Sequence, residues 1–298
     1  MKALSVNFWE ECNNHCIFCF CREKDFLAEK LSPKVASSVR EVEKALLQHQ
    51  SICDFLIISG NEPTLNPGLS YLILFAKKIG YKVEIRTNGR TLKDKKFCSK
   101  LLRIGLDSIG VTLLSHDSKT HDFLTRVKGS FQETASGIKN FISLGNPEKI
   151  TLYNVINKFN FRQLPESLAF YDYLGAKNVQ LNFVYHNNKK IVPRFSDLKE
   201  YLDKALALAI KLDMKIGAYG IPLCFLGKYR NLATEFGLRN EVVLGGRISD
   251  YNYVRTKMGK RRAKYCRSCS QKDICEGTWK SYYNVYGEEE FKRMIINE

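Results

Sequence analysis

Cysteines are the residues of this sequence whose number and spacing say most about chemistry. Of the ten cysteines in the 298 residues, seven fall into two spaced sets. The first set is Cys12, Cys16 and Cys19, and the second is Cys224, Cys266, Cys269 and Cys275. In a reducing compartment, clustered cysteines indicate metal ligands rather than disulfides. We therefore predict two metal sites, each built from one set.

Three cysteines remain outside both sets. Cys53 opens an apolar run and Cys98 falls in a helical pattern, so we expect both to pack in the core. Cys21 lies close to the first set, but its two-residue step from Cys19 matches no familiar metal-binding spacing. We assign Cys21 no role from the sequence.

The first set places three thiolates on one short loop after a predicted strand, in the segment CNNHCIFC. Three thiolates can bind three irons of a [4Fe-4S] cluster, which leaves the fourth iron open to bind and activate a substrate. A zinc site with His15 as the fourth ligand is the alternative. The spacing alone does not decide between them.

Two further segments favour the cluster. Ser59–Thr64 (SGNEPT) and Arg86–Gly89 (RTNG) each follow a predicted strand, as the cysteine loop does. In this order the three segments resemble the C-x3-C-x2-C, Gly-Gly-Glu-Pro-Thr and Thr-Asn-Gly motifs of the radical S-adenosylmethionine (SAM) superfamily. The resemblance continues through His116, His121 and Gly129 to the C-terminal cysteines, over nearly the whole chain. Active sites of barrels lie at the C-terminal ends of strands, where all three motifs fall.

The resemblance implies a role for each motif residue. Cys12, Cys16 and Cys19 would hold the [4Fe-4S] cluster whose open iron binds the amino and carboxylate groups of SAM. The cofactor-binding residues would be Phe18, Gly60, Glu62, Thr87 and Asn88. Glu62 would accept a hydrogen bond from the methionyl ammonium, and Phe18 would pack near the adenine. Reductive cleavage of SAM would then give a 5′-deoxyadenosyl radical that abstracts hydrogen from a substrate.

One position departs from the family motif. Asn61 replaces its second glycine. Asn tolerates a left-handed backbone better than most residues, so we expect the turn to persist.

The second cysteine set supplies four thiolates, which suit zinc or an iron–sulfur cluster. The segment from Tyr265 to Trp279 resembles the auxiliary-cluster region of twitch or SPASM-type radical enzymes. This resemblance implies an auxiliary [4Fe-4S] cluster, with zinc as the second interpretation. Cys224 alone has another interpretation, as a hydrogen-atom donor to a substrate radical, but its three companion cysteines favour a ligand.

Strand-like and helix-like segments alternate along most of the chain. This pattern predicts an α/β fold with a parallel sheet, and its repeat count predicts a partial (β/α)6 TIM-like barrel. The predicted strands are 4–8, 55–59, 81–86, 108–113, 150–155 and 179–184, with a further strand candidate at 215–219. The predicted helices are 34–50, 69–79, 92–104, 130–144, 164–174 and 197–212. We predict a barrel domain over residues 1–212 and a small metal-binding domain over 213–298. From Ile221 onward we expect irregular structure held partly by metal.

The net charge and the hydrophobic pattern bear on which partners and which cellular location the protein has. A net charge of +16 permits a nucleic-acid, acidic-peptide or phosphorylated partner, but no RNA-binding motif accompanies it. We favour a lysine-rich surface as the explanation of the charge. No long apolar run or signal sequence is present, so we expect a cytoplasmic protein without a membrane partner.

We therefore expect an enzyme with a ribosomally made peptide as its leading substrate. The alternatives are a small-molecule (sugar or cyclitol) dehydrogenase or epimerase, and an RNA-modifying radical enzyme. A non-enzymatic iron–sulfur scaffold leaves Glu62 and the open cluster unexplained. Because nothing precedes the first strand, we expect any leader-binding domain to be separate, which favours the small-molecule alternative. A ferredoxin- or flavodoxin-type protein would donate the electron.

Overall fold

The computed structural model describes residues 2–22, 36–145, 147–235, 239–244 and 247–294. Seven parallel strands curl into a half-barrel in sequential order. They are β1 (Lys2–Asn7), β2 (Phe55–Ser59), β3 (Lys82–Thr87), β4 (Ser108–Thr112), β5 (Ile150–Ile156), β6 (Asn178–Phe183) and β7 (Lys215–Tyr219). The predicted partial TIM-like barrel is confirmed, with β7 as a seventh strand beside β6.

Helices connect the strands and cover one face of the sheet. They are α1 (Val39–His49), α2 (Leu69–Lys78), α3 (Lys95–Arg103), α4 (Ser118–Thr125), α5 (Ser130–Leu144), α6 (Leu164–Tyr173) and α7 (Phe195–Lys211). Right-handed strand–helix–strand crossovers are what parallel strands require. The inward faces of both layers form the core, with Leu56, Ile85 and Leu152 fully buried.

Local sequence explains where two helices begin. Ser38 caps α1 through a capping box with Glu41. The predicted helix over 92–104 is shorter in the structure, because Asp94 caps α3 after a separate 3-10 turn, Arg90–Lys93. The first two residues of the predicted helix 34–50 lie outside the described residues. Helix α4 had no predicted counterpart.

The expectation of irregular structure from Ile221 onward is wrong in one respect. Strand β8 (Arg239–Leu244) pairs parallel with β1 and antiparallel with β9 (Arg247–Asp250), so the sheet has nine strands. A short helix α8 (Leu223–Leu226), a two-stranded ribbon of β10 (Lys260–Arg261) and β11 (Thr278–Trp279), and helix α9 (Lys280–Tyr286) complete this part.

The C-terminal part packs on the barrel through aromatic side chains. The rings of Phe195 on α7 and Phe225 on α8 stack at 4.9 Å, and Tyr282 on α9 lies 4.5 Å from the Phe195 ring. Offset aromatic packing of this kind stabilises a small domain that has little core of its own. No helix in the described part of the chain is long and apolar enough to span a membrane.

Candidate active site and second cysteine site

The C-terminal ends of the barrel strands surround one cavity of about 450 Å³. The cysteine loop after β1 contributes Cys12, Cys16 and Cys19 to its lining. Cys21, to which the sequence assigned no role, lines the same cavity. Parallel strands end at one edge of a sheet, so loops distant in sequence meet there. The structure therefore brings the three predicted cluster ligands together.

The cysteine loop is held by backbone groups of α4. The amides of His15 and Ile17 donate to the carbonyls of Thr125 and Leu124 at 2.8 and 3.0 Å. These carbonyls belong to the last turn of α4, where no intrahelical donor remains. The loop amides thus satisfy the last carbonyls of α4, and these hydrogen bonds fix the position of the loop.

Arg90 holds the loop from the other side. Its guanidinium donates to the Asn13 carbonyl and, at 3.1 Å, to Asn14 Oδ1. Glu133 on α5 accepts from Arg90 Nε at 2.6 Å and so fixes the guanidinium. Sequence reasoning missed both Arg90 and Glu133, although Arg90 directly follows the RTNG motif.

Glu62 is fully buried at the junction of the second and third motifs. Its Oε1 accepts hydrogen bonds from the hydroxyls of Thr64 and Thr87, both at 2.6 Å, and Oε2 accepts from the Asn88 amide at 2.7 Å. Burial raises the pKa of Glu62, and the hydrogen bonds from Thr64, Thr87 and Asn88 oppose that rise. Glu62 thus joins the loops after β2 and β3 into one unit.

The turn before Glu62 depends on glycine. Gly60 has φ +129°, and a Cβ there would lie 2.6 Å from Asn7 Oδ1 and 2.8 Å from the Trp9 carbonyl. Asn61, by contrast, is not in the left-handed region, so its backbone conformation is one that any residue can adopt. Its amide donates to the Trp9 carbonyl at 2.9 Å. The Gly-to-Asn departure from the motif is therefore accommodated.

The other predicted cofactor-binding residues also reach this cavity. Phe18, Gly60, Thr87 and Asn88 all line it. Asn88 Nδ2 donates to Asn13 Oδ1 at 2.6 Å and lies 3.8 Å from Cys12 Sγ. Asn88 therefore links the third motif to the first.

The donor chemistry of this cavity fits an iron–sulfur cluster. Three cysteine sulfurs on one loop face the cavity, and Cys12 Sγ accepts from the Asn14 amide at 3.3 Å. Burial raises the pKa of the Cys12 thiol. The side chain of His15, the fourth ligand of the zinc alternative, is exposed and is not part of the lining. Across the described ranges, no three His, Cys, Asp or Glu side chains form a group arranged for a single metal ion.

The four cysteines of the second set also meet. Cys224 on α8 and Cys266, Cys269 and Cys275 line one small cavity of about 20 Å³. The Gly277 amide donates to Cys275 Sγ at 3.4 Å. Burial raises the pKa of Cys224, and the other three cysteines add to that rise. Four thiols are the donor types that bind zinc or a cluster, but within the described residues they are not arranged for a single ion. The side chains would have to turn to hold either group, since the cavity has room for about one water.

A buried ionic network lies beside this second cavity. Lys260 Nζ donates to Glu235 Oε1 at 2.6 Å and to Glu276 Oε2 at 3.0 Å, and Arg255 also pairs with Glu276. Lys260 belongs to the basic segment KMGKRRAK and is fully buried, and Arg261 lies 3.9 Å above the Tyr283 ring. Part of this basic segment is thus structural rather than a surface for nucleic acid.

The model of the Radical SAM superfamily matches residues 6–171 of this chain. Among curated proteins, the Fe-coproporphyrin III synthase of Methanosarcina barkeri is 30% identical over 226 residues, covering 72% of this chain and 52% of that protein. A probable GTP 3′,8-cyclase of Saccharolobus islandicus is 28% identical over 183 residues, covering 61% of this chain and 56% of that protein. The chain spans about half the length of these relatives.

Solved structures share the fold at low sequence identity. SuiB of Streptococcus suis bound to its precursor peptide SuiA matches with a TM-score of 0.68 at 17% identity, over 100% of this chain and 74% of that chain. Native anSMEcpe with bound AdoMet matches with a TM-score of 0.69 at 12% identity, over 98% of this chain and 95% of that chain. These likenesses extend beyond the barrel to the C-terminal part.

Proposed function

Since the chain belongs to the Radical SAM superfamily, we propose that it cleaves SAM reductively and uses the resulting radical to abstract hydrogen from a substrate. The observation that carries the proposal is the meeting of three motifs at one cavity. Cys12, Cys16 and Cys19 line it, and Glu62 is bonded to Thr87 and Asn88 at its edge. When bound, a [4Fe-4S] cluster supplies the electron that splits SAM into methionine and a 5′-deoxyadenosyl radical.

The residues of this chain have distinct roles in the proposal. Cys12, Cys16 and Cys19, which line the cavity, would hold three irons of the cluster. Gly60 lets the backbone approach the methionyl group without a side chain in the way. Phe18 offers an apolar surface to the adenine, and Glu62 orients Thr87 and Asn88 and presents negative charge to the methionyl ammonium. The walls of the barrel exclude water from the reacting atoms.

The experiment is anaerobic reconstitution with iron and sulfide, followed by reduction with dithionite in the presence of SAM. The parent should form 5′-deoxyadenosine, and the triple variant Cys12→Ala, Cys16→Ala, Cys19→Ala should form none. Cys53→Ala, a change outside both sets, is the matched control and should behave as the parent. Formation of 5′-deoxyadenosine by the triple variant at the parent rate would overturn the proposal.

For the second cysteine set we propose an auxiliary [4Fe-4S] cluster held by Cys224, Cys266, Cys269 and Cys275, in a domain of the twitch or SPASM type. The parent should then contain about eight irons per chain, and the triple variant about four. Iron near zero in the triple variant, together with one zinc per chain, would establish a zinc site instead.

A variant at Cys224 distinguishes its two possible roles, metal ligand and hydrogen-atom donor. As a ligand, its replacement in Cys224→Ala should lower the iron content and destabilise residues 221–294, because metal binding there contributes to folding. As a hydrogen-atom donor, its replacement should leave the iron content unchanged. We expect the first result. Its support is that Cys224 lines the same small cavity as the other three cysteines.

We propose a ribosomally made peptide as the substrate. Support comes from SuiB and anSMEcpe, whose structures were determined with peptides and whose folds match this chain from end to end. A small-molecule substrate is the second candidate, favoured by the 30% identical relative named Fe-coproporphyrin III synthase. Hydrogen abstraction from a peptide encoded beside this gene would support the first candidate. Turnover of a metabolite without any peptide would support the second.

The cellular setting follows from the chemistry. Two sets of reduced cysteines require a reducing compartment, which makes the cytoplasm the proposed location. A ferredoxin- or flavodoxin-type protein is the proposed electron donor. Replacement of dithionite by such a protein and its reductase should sustain 5′-deoxyadenosine formation.

A further inference from the structure

Arg86 lines the candidate active-site cavity and lies outside the set of predicted cofactor-binding residues. It is on β3, and its side chain lines the cavity. The strand walls surround Arg86, yet 43% of its side-chain surface is accessible, because that surface faces the cavity. Among the described residues, Arg86 and Glu10 are the charged members of the lining.

The neighbouring strands are built around the Arg86 side chain. Gly110 pairs with Arg86 in the sheet, and a Cβ at Gly110 would lie 2.5 Å from the Tyr153 ring and 3.4 Å from Arg86 Cγ. The missing side chain lets the Tyr153 ring lie beside the guanidinium, whose carbon is 5.4 Å from the ring centroid. A guanidinium beside an aromatic ring is held in orientation without losing its N–H donors.

Glu84 fixes the Nε side of the Arg86 guanidinium. Its Oε1 accepts from Arg86 Nε at 2.9 Å, and Ser108 holds its Oε2 at 3.3 Å. Burial opposes the charge on Arg86, but Tyr153 and Glu84 together raise the pKa of the guanidinium above its ordinary value. Glu84 engages Nε, and the Tyr153 hydroxyl also hydrogen-bonds the Arg86 side chain. The other N–H groups of the two terminal nitrogens remain as donors for a ligand.

We propose that Arg86 binds the carboxylate of the substrate and so orients it in the cavity. This inference rests on the proposed function. The expected ligand is a monoanionic, planar carboxylate, which matches the fork of the terminal nitrogens. A phosphate is the other oxyanion that could bind here. It would bring two negative charges close to the Glu84 carboxylate, and Arg86 would be the single cation to balance them. Asn182, on β6 in the same lining, makes no hydrogen bond through its side chain within the described residues and adds a neutral donor.

The test uses reconstituted protein with SAM and three probes of equal size. They are N-benzoylglycine, its uncharged amide N-benzoylglycinamide, and benzoylaminomethylphosphonate. Dissociation constants come from ligand-observed saturation-transfer NMR. The parent should bind the carboxylate at least tenfold more tightly than the amide and more tightly than the phosphonate. Equal binding of carboxylate and amide, or tighter binding of the phosphonate, would overturn the proposal.

Three variants assign the preference to Arg86. Arg86→Gln should bind carboxylate and amide equally, and Arg86→Lys should keep a reduced preference, because an ammonium lacks the fork. Lys82→Gln removes the same charge from the exposed start of β3 and should retain the preference of the parent. A preference that survives in Arg86→Gln would overturn the proposal. The comparison of probes on the parent needs no variant, so misfolding of Arg86→Gln leaves the proposal testable.

The two proposals fail separately. A parent that forms 5′-deoxyadenosine but does not distinguish carboxylate from amide would refute the role of Arg86 alone. A parent that prefers the carboxylate but never cleaves SAM would refute the proposed radical chemistry and leave a carboxylate site.

Discussion

At the scale of single residues, Glu62 shows how the fold constrains a motif. The resemblance implied that Glu62 faces the methionyl ammonium, and the structure gives it four internal donors and no exposed surface. A buried carboxylate is stable only when its oxygens are hydrogen-bonded. Here Thr64, Thr87 and Asn88 meet that need. Glu62 therefore fixes the loops after β2 and β3, whose residues Gly60, Thr87 and Asn88 line the cavity.

We predict that Glu62→Gln weakens SAM binding by about 1.5–3 kcal/mol, or roughly 10- to 150-fold. The amide removes the negative charge and turns one acceptor into a donor, which then meets the Thr or Asn88 donors. Equilibrium binding of SAM to the reconstituted variant is the measurement. Thr87→Val, which deletes one donor and keeps the charge, should lose less affinity. Unchanged affinity in Glu62→Gln would remove this residue from the site.

At the scale of elements, α4 explains how the cysteine loop keeps its shape. This helix is eight residues long, and its last carbonyls accept from the loop amides. Asp122 accepts from the amides of Gly129 and Phe131 at 2.6 and 2.8 Å and so links α4 to the start of α5. Within α4, His121 is buried, and its Nδ1 accepts from the Leu114 amide at 3.3 Å. The shape of the loop therefore depends on hydrogen bonds to a helix that is distant in sequence.

We predict that His121 makes the protein less stable in mild acid. Burial lowers the pKa of His121 to about 4, with Arg90 also lowering it and Asp122 opposing. A His with a depressed folded pKa contributes fully above its unfolded value of 6.5, and that contribution falls as the pH drops toward 4. Between pH 7.5 and 5.5 the loss is about 1.3 kcal/mol, which corresponds to a few degrees of Tm in a chain of this size.

The measurement is Tm by circular dichroism at the two pH values. His121→Asn keeps an acceptor near Leu114 but cannot titrate, so its Tm should fall less than that of the parent. The difference between the two decreases is the measure, because any effect of acid on the clusters is common to both proteins and cancels. An equal decrease in both proteins would contradict the role of His121.

At the scale of the whole molecule, a buried ionic network joins the second cysteine site to the barrel. Glu235 accepts from the Gly220 amide at 2.9 Å, just after β7, and from Lys260 on β10. Glu276, which also accepts from Lys260, directly follows Cys275. The Lys260 ammonium also lies 5.0 Å from the ring centroids of Tyr219 and Trp279. The cysteine site and the mouth of the barrel are therefore held by the same charges.

We predict that Lys260→Met destabilises the protein by about 3–5 kcal/mol, because it leaves the buried Glu235 carboxylate without its cation and Glu276 with Arg255 alone. Thermal unfolding and limited proteolysis are the measurements, and residues 254–294 should be cleaved before the barrel. Lys264→Met is the matched control. Its Nζ lies 3.8 Å from Glu289 with 64% of the side chain exposed, so its loss should leave the Tm of the protein nearly unchanged. Equal stability of the two variants would contradict the structural role of this network.

The sequence by itself determined the fold class, the family and the identity of the residues near the first cavity. Strand-like runs alternating with helical patterns repeat often enough to specify a parallel barrel, and Gly60, with its positive φ, marks a turn that only one residue type accepts readily. Cys12, Cys16 and Cys19 are close in sequence, so their meeting follows from the chain alone. Periodicity also located β2, α5 and β7 at their observed bounds.

Tertiary structure decided what depends on contacts between distant segments. Strand β8 joins β1 across more than 230 residues, and Arg86 gains its surroundings from β4 and β5. The basic segment KMGKRRAK suggests that Lys260 is a surface lysine, yet it is buried between two carboxylates from separate segments. Hydrophobic periodicity reports which face of one element is buried, and it carries no information about which polar side chains of other elements meet that face. For this reason the cysteine motif could be predicted from the sequence, and the ionic network could not.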